Sequence, residues 1–367
     1  MLTVTEDQVR AFRMLRHGLA GPGHATLLAA ARAQVGGQAQ LIQPTVLGLS
    51  TRTAGRPPAS EVRAAIEADH ALVRAWGQRD TVHVYDPADW PVAVAAWPTW
   101  ATSSGRRPDP FAAATEEAAA AHLATLARPV TRTDFRHLVG EDWLAAIDAT
   151  TFDTPDKRWR YAAGRLIWRL GHRGLLFHGP KVGREQSYWP THAHHRDLPA
   201  PPDAPAHALA RRYLRAYGPA TVQDMAHFFG TKVTTARTWL GPDLVEVRCE
   251  ERALWLCADD AAPLQQATHD TDAVRLLPGY DNLLMGHADK SWTVPVASER
   301  KAVWKKAAVV SAVVLDRGVV VATWKHKVRA KKVTIEVQPL SGWAGQDLTA
   351  EAQALADHLG RANAEVV

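Results

Sequence analysis

Gln38 and Gln40, two residues apart in a chain of 367, are the side chains whose type and spacing most invite a chemical reading. They lie in Val35-Gly36-Gly37-Gln38-Ala39-Gln40-Leu41-Ile42-Gln43-Pro44. The paired glycines break any preceding helix, and Pro44 is tolerated in the first turn of a following one. The residues between are therefore expected to be extended, with Gln38 and Gln40 facing one way and Ala39 the other. Two amides on one side present four N–H donors and two carbonyl acceptors. Composition alone equally allows a solvated loop.

The second feature is charge. Between Arg275 and Lys332 stand twelve Lys/Arg against four acids (Asp281, Asp289, Glu299 and Asp316), a local excess of eight on a chain of net charge +5. The densest run is Trp324-Lys325-His326-Lys327-Val328-Arg329-Ala330-Lys331-Lys332. Cations interleaved with an aromatic suit a nucleic-acid backbone; lysines also guard exposed strand edges. Other signals are weaker. Gly179-Pro180-Lys181-Val182-Gly183-Arg184 lacks the Gly-Lys-Ser/Thr ending of a phosphate loop. His192, His194 and His195 have no carboxylate or thiol at ligand spacing, so no metal site is expected there. Asp281, in Leu276-Leu277-Pro278-Gly279-Tyr280-Asp281, reads first as a turn-capping residue and second as one that approaches a binding channel.

These groups must be positioned by a scaffold, and the chain repeats itself. Residues 128–140 align without gaps to 218–230, with identities Pro129/Pro219, Thr131/Thr221, Asp134/Asp224, His137/His227 and Gly140/Gly230. Thr131 and Thr221 read as N-caps, each closed into a capping box by the Asp three residues on. Phe135, Leu138 and Val139, like Met225, Phe228 and Phe229, form an apolar helical stripe, and the closing Gly ends a helix of two turns. In the second copy a helix over Thr231 to Leu240 and two strands, 244–249 and 253–257, complete a winged helix. A degenerate third copy lies over 21–36. Residues 103–110 and 197–205 read as linkers. From Ala307 onward β-branched runs take over, with a hairpin turn at Asp316-Arg317-Gly318, and a last helix spans Thr349 to Leu359, started by Thr349 and ended by Gly360. The expected fold is α+β, mainly α: three small helical units (1–125, 126–200 and 201–270) and a β-rich C-terminal unit (271–367).

Composition narrows the classes. Only two cysteines, Cys249 and Cys257, exclude a disulfide scaffold and a thiolate zinc site. The opening MLTVTEDQVR has no apolar core of a signal peptide, and no apolar run approaches membrane length. A cytoplasmic protein is expected. A sequence pI near 9.3 permits a polyanionic partner.

Gln38-Ala39-Gln40, together with Val73-Arg74-Ala75-Trp76-Gly77-Gln78-Arg79-Asp80-Thr81-Val82-His83, resembles the AlkZ/YcaQ family of bacterial DNA glycosylases. So do Arg211-Arg212-Tyr213-Leu214-Arg215-Ala216-Tyr217-Gly218-Pro219 and the Leu276 to Asp281 element. The resemblance spans about residues 34 to 340 and lies in the order and spacing of these motifs. It implies three tandem winged helices and a β-rich C-terminal domain around a concave channel for duplex DNA. It makes Gln38 and Gln40 the catalytic pair, as the Gln-apolar-Gln form is that of AlkZ rather than the Gln-apolar-Asp of YcaQ. Arg79 is implied to contact phosphate and His83 to support the catalytic loop beside the DNA; both read equally as structural hydrogen-bonders beneath a wing. Lys325, Lys327, Arg329, Lys331 and Lys332 are implied to grip a groove.

The implied activity is that of a monofunctional glycosylase. It would excise N7-alkylated purines, including bulky adducts and interstrand crosslinks from a natural alkylating genotoxin such as azinomycin, leaving an abasic site. The chemistry agrees: N7 alkylation makes the base cationic, so it departs neutral, and two amide carbonyls suffice to steady the sugar oxocarbenium and a water. No metal or organic cofactor is called for, and the partner is double-stranded DNA met by a monomer, nucleoid-associated when bound. The alternative from another class is a non-catalytic winged-helix regulator or drug-sequestering resistance protein, which would bind DNA without cleaving the glycosidic bond.

Overall fold

The computed structural model describes residues 2–101, 113–137, 153–269 and 274–367. The 103–110 linker and the Leu138, Val139 and Gly140 end of the first repeat copy lie outside the described residues.

Three stretches of the described chain share a plan in which helices lead into a β-hairpin, and in the first two a short strand also pairs with the hairpin. The first set is α2 (Leu27–Arg32), β2 (Gly37–Gln38), α3 (Ile42–Arg52), α4 (Ala59–Glu67), β3 (Val73–Trp76) and β4 (Val82–Tyr85), with sheet order β2-β4-β3. Ala31, Ala39, Val46, Leu49, Ile66, Leu72 and Val84 fill its core. Helix α5 (Trp90–Ala101) follows the hairpin. The second set has α6 (Ala113–Ala124), β5 (Val130–Thr131), α7 (Pro155–His172), β6 (Leu176–Val182) and β7 (Glu185–Pro190), ordered β5-β7-β6. Between β5 and α7 the described residues show a 3-10 turn at Thr133–His137. Asp134 accepts from Thr131 N at 2.7 Å, one half of the expected capping box.

The third set is α8 (Pro205–Tyr217), a bridge from Ala220 to Trp255, α9 (Val222–Phe229), α10 (Val233–Arg237), β8 (Leu244–Cys249) and β9 (Arg252–Cys257). Here the capping box is complete: Thr221 Oγ1 accepts from Asp224 N and Asp224 Oδ2 from Thr221 N, both at 3.0 Å. Gly230 closes the helix with φ +70°, a left-handed turn that glycine adopts without strain. The helix expected over Thr231 to Leu240 is shorter at both ends, and Lys232 at its cap supplies no side-chain acceptor. The first strand, β1 (Leu2–Val4), pairs in parallel with β8, and Val9 and Phe12 of α1 (Glu6–Arg16) pack with Val247 and Leu254. The boundary 1–125 read from sequence does not anticipate that placement.

The C-terminal unit is a five-stranded sheet in sequence order: β10 (Val274–Leu277), β11 (Val313–Asp316), β12 (Val319–Val328), β13 (Lys332–Pro339) and β14 (Asn363–Val366). A short helix, α11 (Asn282–Met285), follows β10. The β11–β12 turn falls on Arg317 and Gly318, both at positive φ, as expected. Helix α12 (Thr349–His358) packs on this sheet through Ala352, Leu355 and Ala356. Leu348, not Thr349, occupies its cap position; the Thr349 N–H is taken by Asp347 Oδ1 at 2.9 Å. No described helix is long and apolar enough to cross a membrane.

Candidate active site

The glutamine pair sits where the first sheet meets α3. Gly36 has φ +85°, and a Cβ on it would fall 2.5 Å from the Tyr85 ring, so only glycine passes this corner. Gln38 then pairs with His83, and Ala39 N donates to Val82 O at 2.7 Å. Ala39 faces inward and is buried, Gln40 is exposed and Gln38 half-buried. The alternation expected from sequence is present.

Each amide is held by groups that fix its orientation. Val82 N, next in register, donates to Gln40 Oε1 at 3.2 Å, while the Ala39 carbonyl takes Arg74 Nε at 3.1 Å. A backbone N–H can only donate, so the Gln40 atom facing it is the oxygen. That leaves one lone pair of Oε1, and Nε2 has no partner among the described residues. Gln38 Oε1 accepts from Arg79 Nη2 at 3.2 Å and faces the Thr81 hydroxyl at 3.3 Å. The backbone of Gln38 is held as well: its N–H donates to Asn282 Oδ1 at 2.9 Å and its carbonyl accepts from Thr45 Oγ1 at 2.8 Å.

Arg79 is half-buried and His83 buried, and both hydrogen-bond within the protein. The turn through Arg79 and Asp80, both at φ +55°, folds the Arg79 side chain back. Its Nη1 donates to the Phe228 carbonyl, and the guanidinium lies 5.5 Å from the Phe228 ring centroid. Arg79 thus clasps Gln38 to α9, and burial lowers its pKa. His83 has no exposed surface, which corrects its placement among the DNA-contacting residues. Its Nδ1 lies 2.9 Å from Gly36 O, and its Nε2 lies 2.9 Å from the Thr81 hydroxyl and 3.0 Å from Gln78 O. Burial, with a smaller push from Arg79, brings it down to about 3, so the ring is neutral. It props the glycine corner from beneath.

Asn282 and Thr45 are site residues that sequence reasoning missed. Asn282 Nδ2 also donates to Gln34 Oε1 at 2.5 Å, so one side chain ties α11 to both ends of the glycine corner. Its neighbour Asp281 caps α11 by accepting from Leu283 N at 2.9 Å, the turn-capping role expected of it. Asp281 also forms a two-point ion pair with Arg52 at the end of α3, at 2.7 and 2.8 Å, with side chains 1% and 0% exposed. The adjacency of Asn282 to Asp281 in the Leu276 to Asp281 element was the available signal.

The basic run is the outer half of the β12–β13 hairpin. β12 pairs with β11 only as far as Thr323 but with β13 to Val328, so its end overhangs the sheet. Trp324 is buried, with Nε1 shared between Leu277 O and Val313 O at 3.0 and 3.1 Å; it is a core residue, not a stacking platform. Lys325 and Lys327 are exposed, and Lys327 pairs with Glu336 at 2.5 Å. Lys332 pairs with Glu365 of β14. Arg329 and Lys331 are exposed at the tip, with no ion pair among the described residues.

Residues 31–364 match the family described as DNA glycosylase AlkZ-like. The chain is 29% identical over 339 residues to an interstrand DNA cross-link repair glycosylase of Streptomyces sahachiroi, covering 87% of each chain. It is similar in structure to the solved Streptomyces sahachiroi DNA glycosylase AlkZ, with a TM-score of 0.79 and 25% identity over the full length of both chains.

Proposed function

The chain belongs to the AlkZ-like DNA glycosylase family, and from that premise we propose that it hydrolyses the N-glycosidic bond of N7-alkylated purines in duplex DNA. Bulky adducts and interstrand crosslinks from a natural alkylating genotoxin such as azinomycin are within this substrate class. The role is repair and self-resistance. The three helix–hairpin sets act as winged helices, with β1 and α1 joined to the third, and the C-terminal sheet completes the channel wall. The overhanging hairpin, through Lys325, Lys327, Arg329, Lys331 and Lys332, lies along the phosphates.

The observation that carries this reading is the Gln40 amide. It is exposed, oriented by Val82 N–H, and has one carbonyl lone pair left beside a Gln38 that Arg79 and Thr81 hold still. That lone pair supplies a fixed negative dipole for an oxocarbenium ion or for the hydrogen of an attacking water. Neither amide titrates, and His83 beneath them is neutral. Such a site gives little help to a leaving group that needs a proton, and an N7-alkylpurine needs none. In this reading water is the nucleophile and the product is an abasic site.

The test uses two duplexes of one sequence, holding N7-methylguanine or O6-methylguanine at a single position. The first lesion is cationic and the second neutral at nearly equal size. Free base read by mass spectrometry, with methoxyamine trapping of the abasic aldehyde, should appear from the N7 duplex and not above background from the O6 duplex. Equal release from both would refute the leaving-group argument; tight binding with no release from either would make the protein a DNA binder without glycosylase activity.

Asn282 supplies a further expectation. Asn282→Ala removes the acceptor for Gln38 N–H and the donor to Gln34, leaving buried polar atoms unpaired at a cost of about 1–3 kcal/mol. It should also slow single-turnover base release by roughly tenfold, since misplacement of a reacting group is costly. A denaturant titration measured beside the rate separates the two effects. Lost stability with an unchanged rate would confine Asn282 to the fold.

A further inference from the structure

The glutamine pair addresses the glycosidic bond, but it leaves a neighbouring recess of about 850 Å³ without a role. One wall is the start of α3, through Pro44 and Leu47; the other is the C-terminal sheet and α12, through Trp324, Val337 and Leu355. Gln43 lines it too, and three residues of chain from Gln40 to Gln43 span at most about 11 Å. The walls are fixed: Trp324 is pinned through Nε1 to two carbonyls, and Leu355 belongs to the core between sheet and helix.

The chemistry of this recess does not match what DNA alone presents. Phosphates call for cations, which stand at its margin as Lys305 and Lys325. Its apolar lining, Leu47, Trp324, Val337 and Leu355 among it, has little to offer a phosphate, and Gln43, Glu336, Gln338 and His358 stand beside it as polar groups. Its size lies within the range of pockets that enclose ligands larger than a nucleobase. We infer that this recess receives the bulky apolar, preferably aromatic, substituent carried on N7 of the damaged purine, while Gln38 and Gln40 act on the sugar beside it. The inference rests on the N7-alkylpurine reading and adds a site that selects among such lesions. A preformed apolar recess binds such a group without first ordering its own walls.

The experiment compares two lesions and two variants. Duplexes carry N7-methylguanine or N7-(pyren-1-ylmethyl)guanine; the variants are Val337→Trp and Leu359→Trp, each filling the recess from a different element. Tryptophan is well tolerated in strands, and the Val337 backbone N–H, bonded to Val367 O at 3.0 Å, is retained. For both variants, kcat/KM on the pyrenylmethyl lesion should fall by about tenfold or more, with the methyl lesion released at the wild-type rate. Pyrene emission should shift on binding to wild type and not on binding to the variants, a readout independent of turnover. Equal slowing of both lesions would overturn the assignment, as expected if the recess held the base itself. So would an unchanged pyrenylmethyl rate and emission. Release of the methyl base by wild type with either of those results sinks the recess alone; release of neither base by wild type sinks the glycosylase reading and the recess with it.

Discussion

Gln40→Ala should slow single-turnover release of N7-methylguanine by about 10²–10³-fold while DNA affinity stays near the wild-type value. The reasoning begins with orientation. Val82 N–H holds the Gln40 oxygen in place before substrate arrives, so its dipole needs no reorganisation as positive charge develops on the sugar. Alanine removes that dipole and leaves water, which must reorganise. Gln40 is exposed, and among the described residues its side chain is tied only to Val82 N–H, so its loss should cost one hydrogen bond and leave the fold standing. Gln38→Ala should cost less in direct stabilisation, about 10–10²-fold, because its oxygen is already engaged by Arg79 and Thr81. It should also free Arg79 from one of its anchors and so loosen the contact with α9. Parallel single-turnover kinetics and equilibrium binding check both values; comparable rates for both variants and wild type would remove the pair from the chemistry.

The largest stability effect is expected at Asp281. Its carboxylate and the Arg52 guanidinium are enclosed and aligned at two points, and Arg52 Nη1 also donates to Gly48 O at 3.0 Å. Asp281→Ala leaves that guanidinium buried without its counter-charge and removes the α11 cap, and should destabilise the protein by about 3–5 kcal/mol. Replacing both partners, Arg52→Met with Asp281→Leu, should recover much of the loss, because two desolvated charges disappear together. Denaturant midpoints for the two variants decide this. If the double variant is as unstable as the single one, the cap and the Gly48 bond, not the ion pair, dominate. The pair joins the helix that follows Gln40 to the element preceding Asn282, so this stability also holds the site in register.

Features set by near neighbours in the chain are legible in the residues themselves. Gly36 and Gly37 predict the corner, the i and i+2 spacing predicts the shared face of Gln38 and Gln40, and Thr221 with Asp224 predicts the capping box. The Asp316-Arg317-Gly318 turn belongs with them. What escapes such reading are contacts between residues far apart in the chain. β1 pairs with β8, and Asn282 bonds Gln38, across more than two hundred residues that carry no periodic signal. Arg79 and His83 match a family pattern without revealing direction; a left-handed turn sends one inward, and pairing opposite Gln38 buries the other. Trp324 misleads because an aromatic among lysines looks the same whether it faces solvent or core. The short α10 escapes because Lys232 offers no cap and the apolar spacing runs on past its end.

The decisive measurement joins the Gln38→Ala, Gln40→Ala double variant to wild type on one N7-methylguanine duplex, with base release and binding affinity followed in the same samples. Two neutral amides as the whole catalytic device predict a variant that binds the duplex as tightly as wild type and releases base at little above the spontaneous rate. Base release at the wild-type rate from that variant would contradict it.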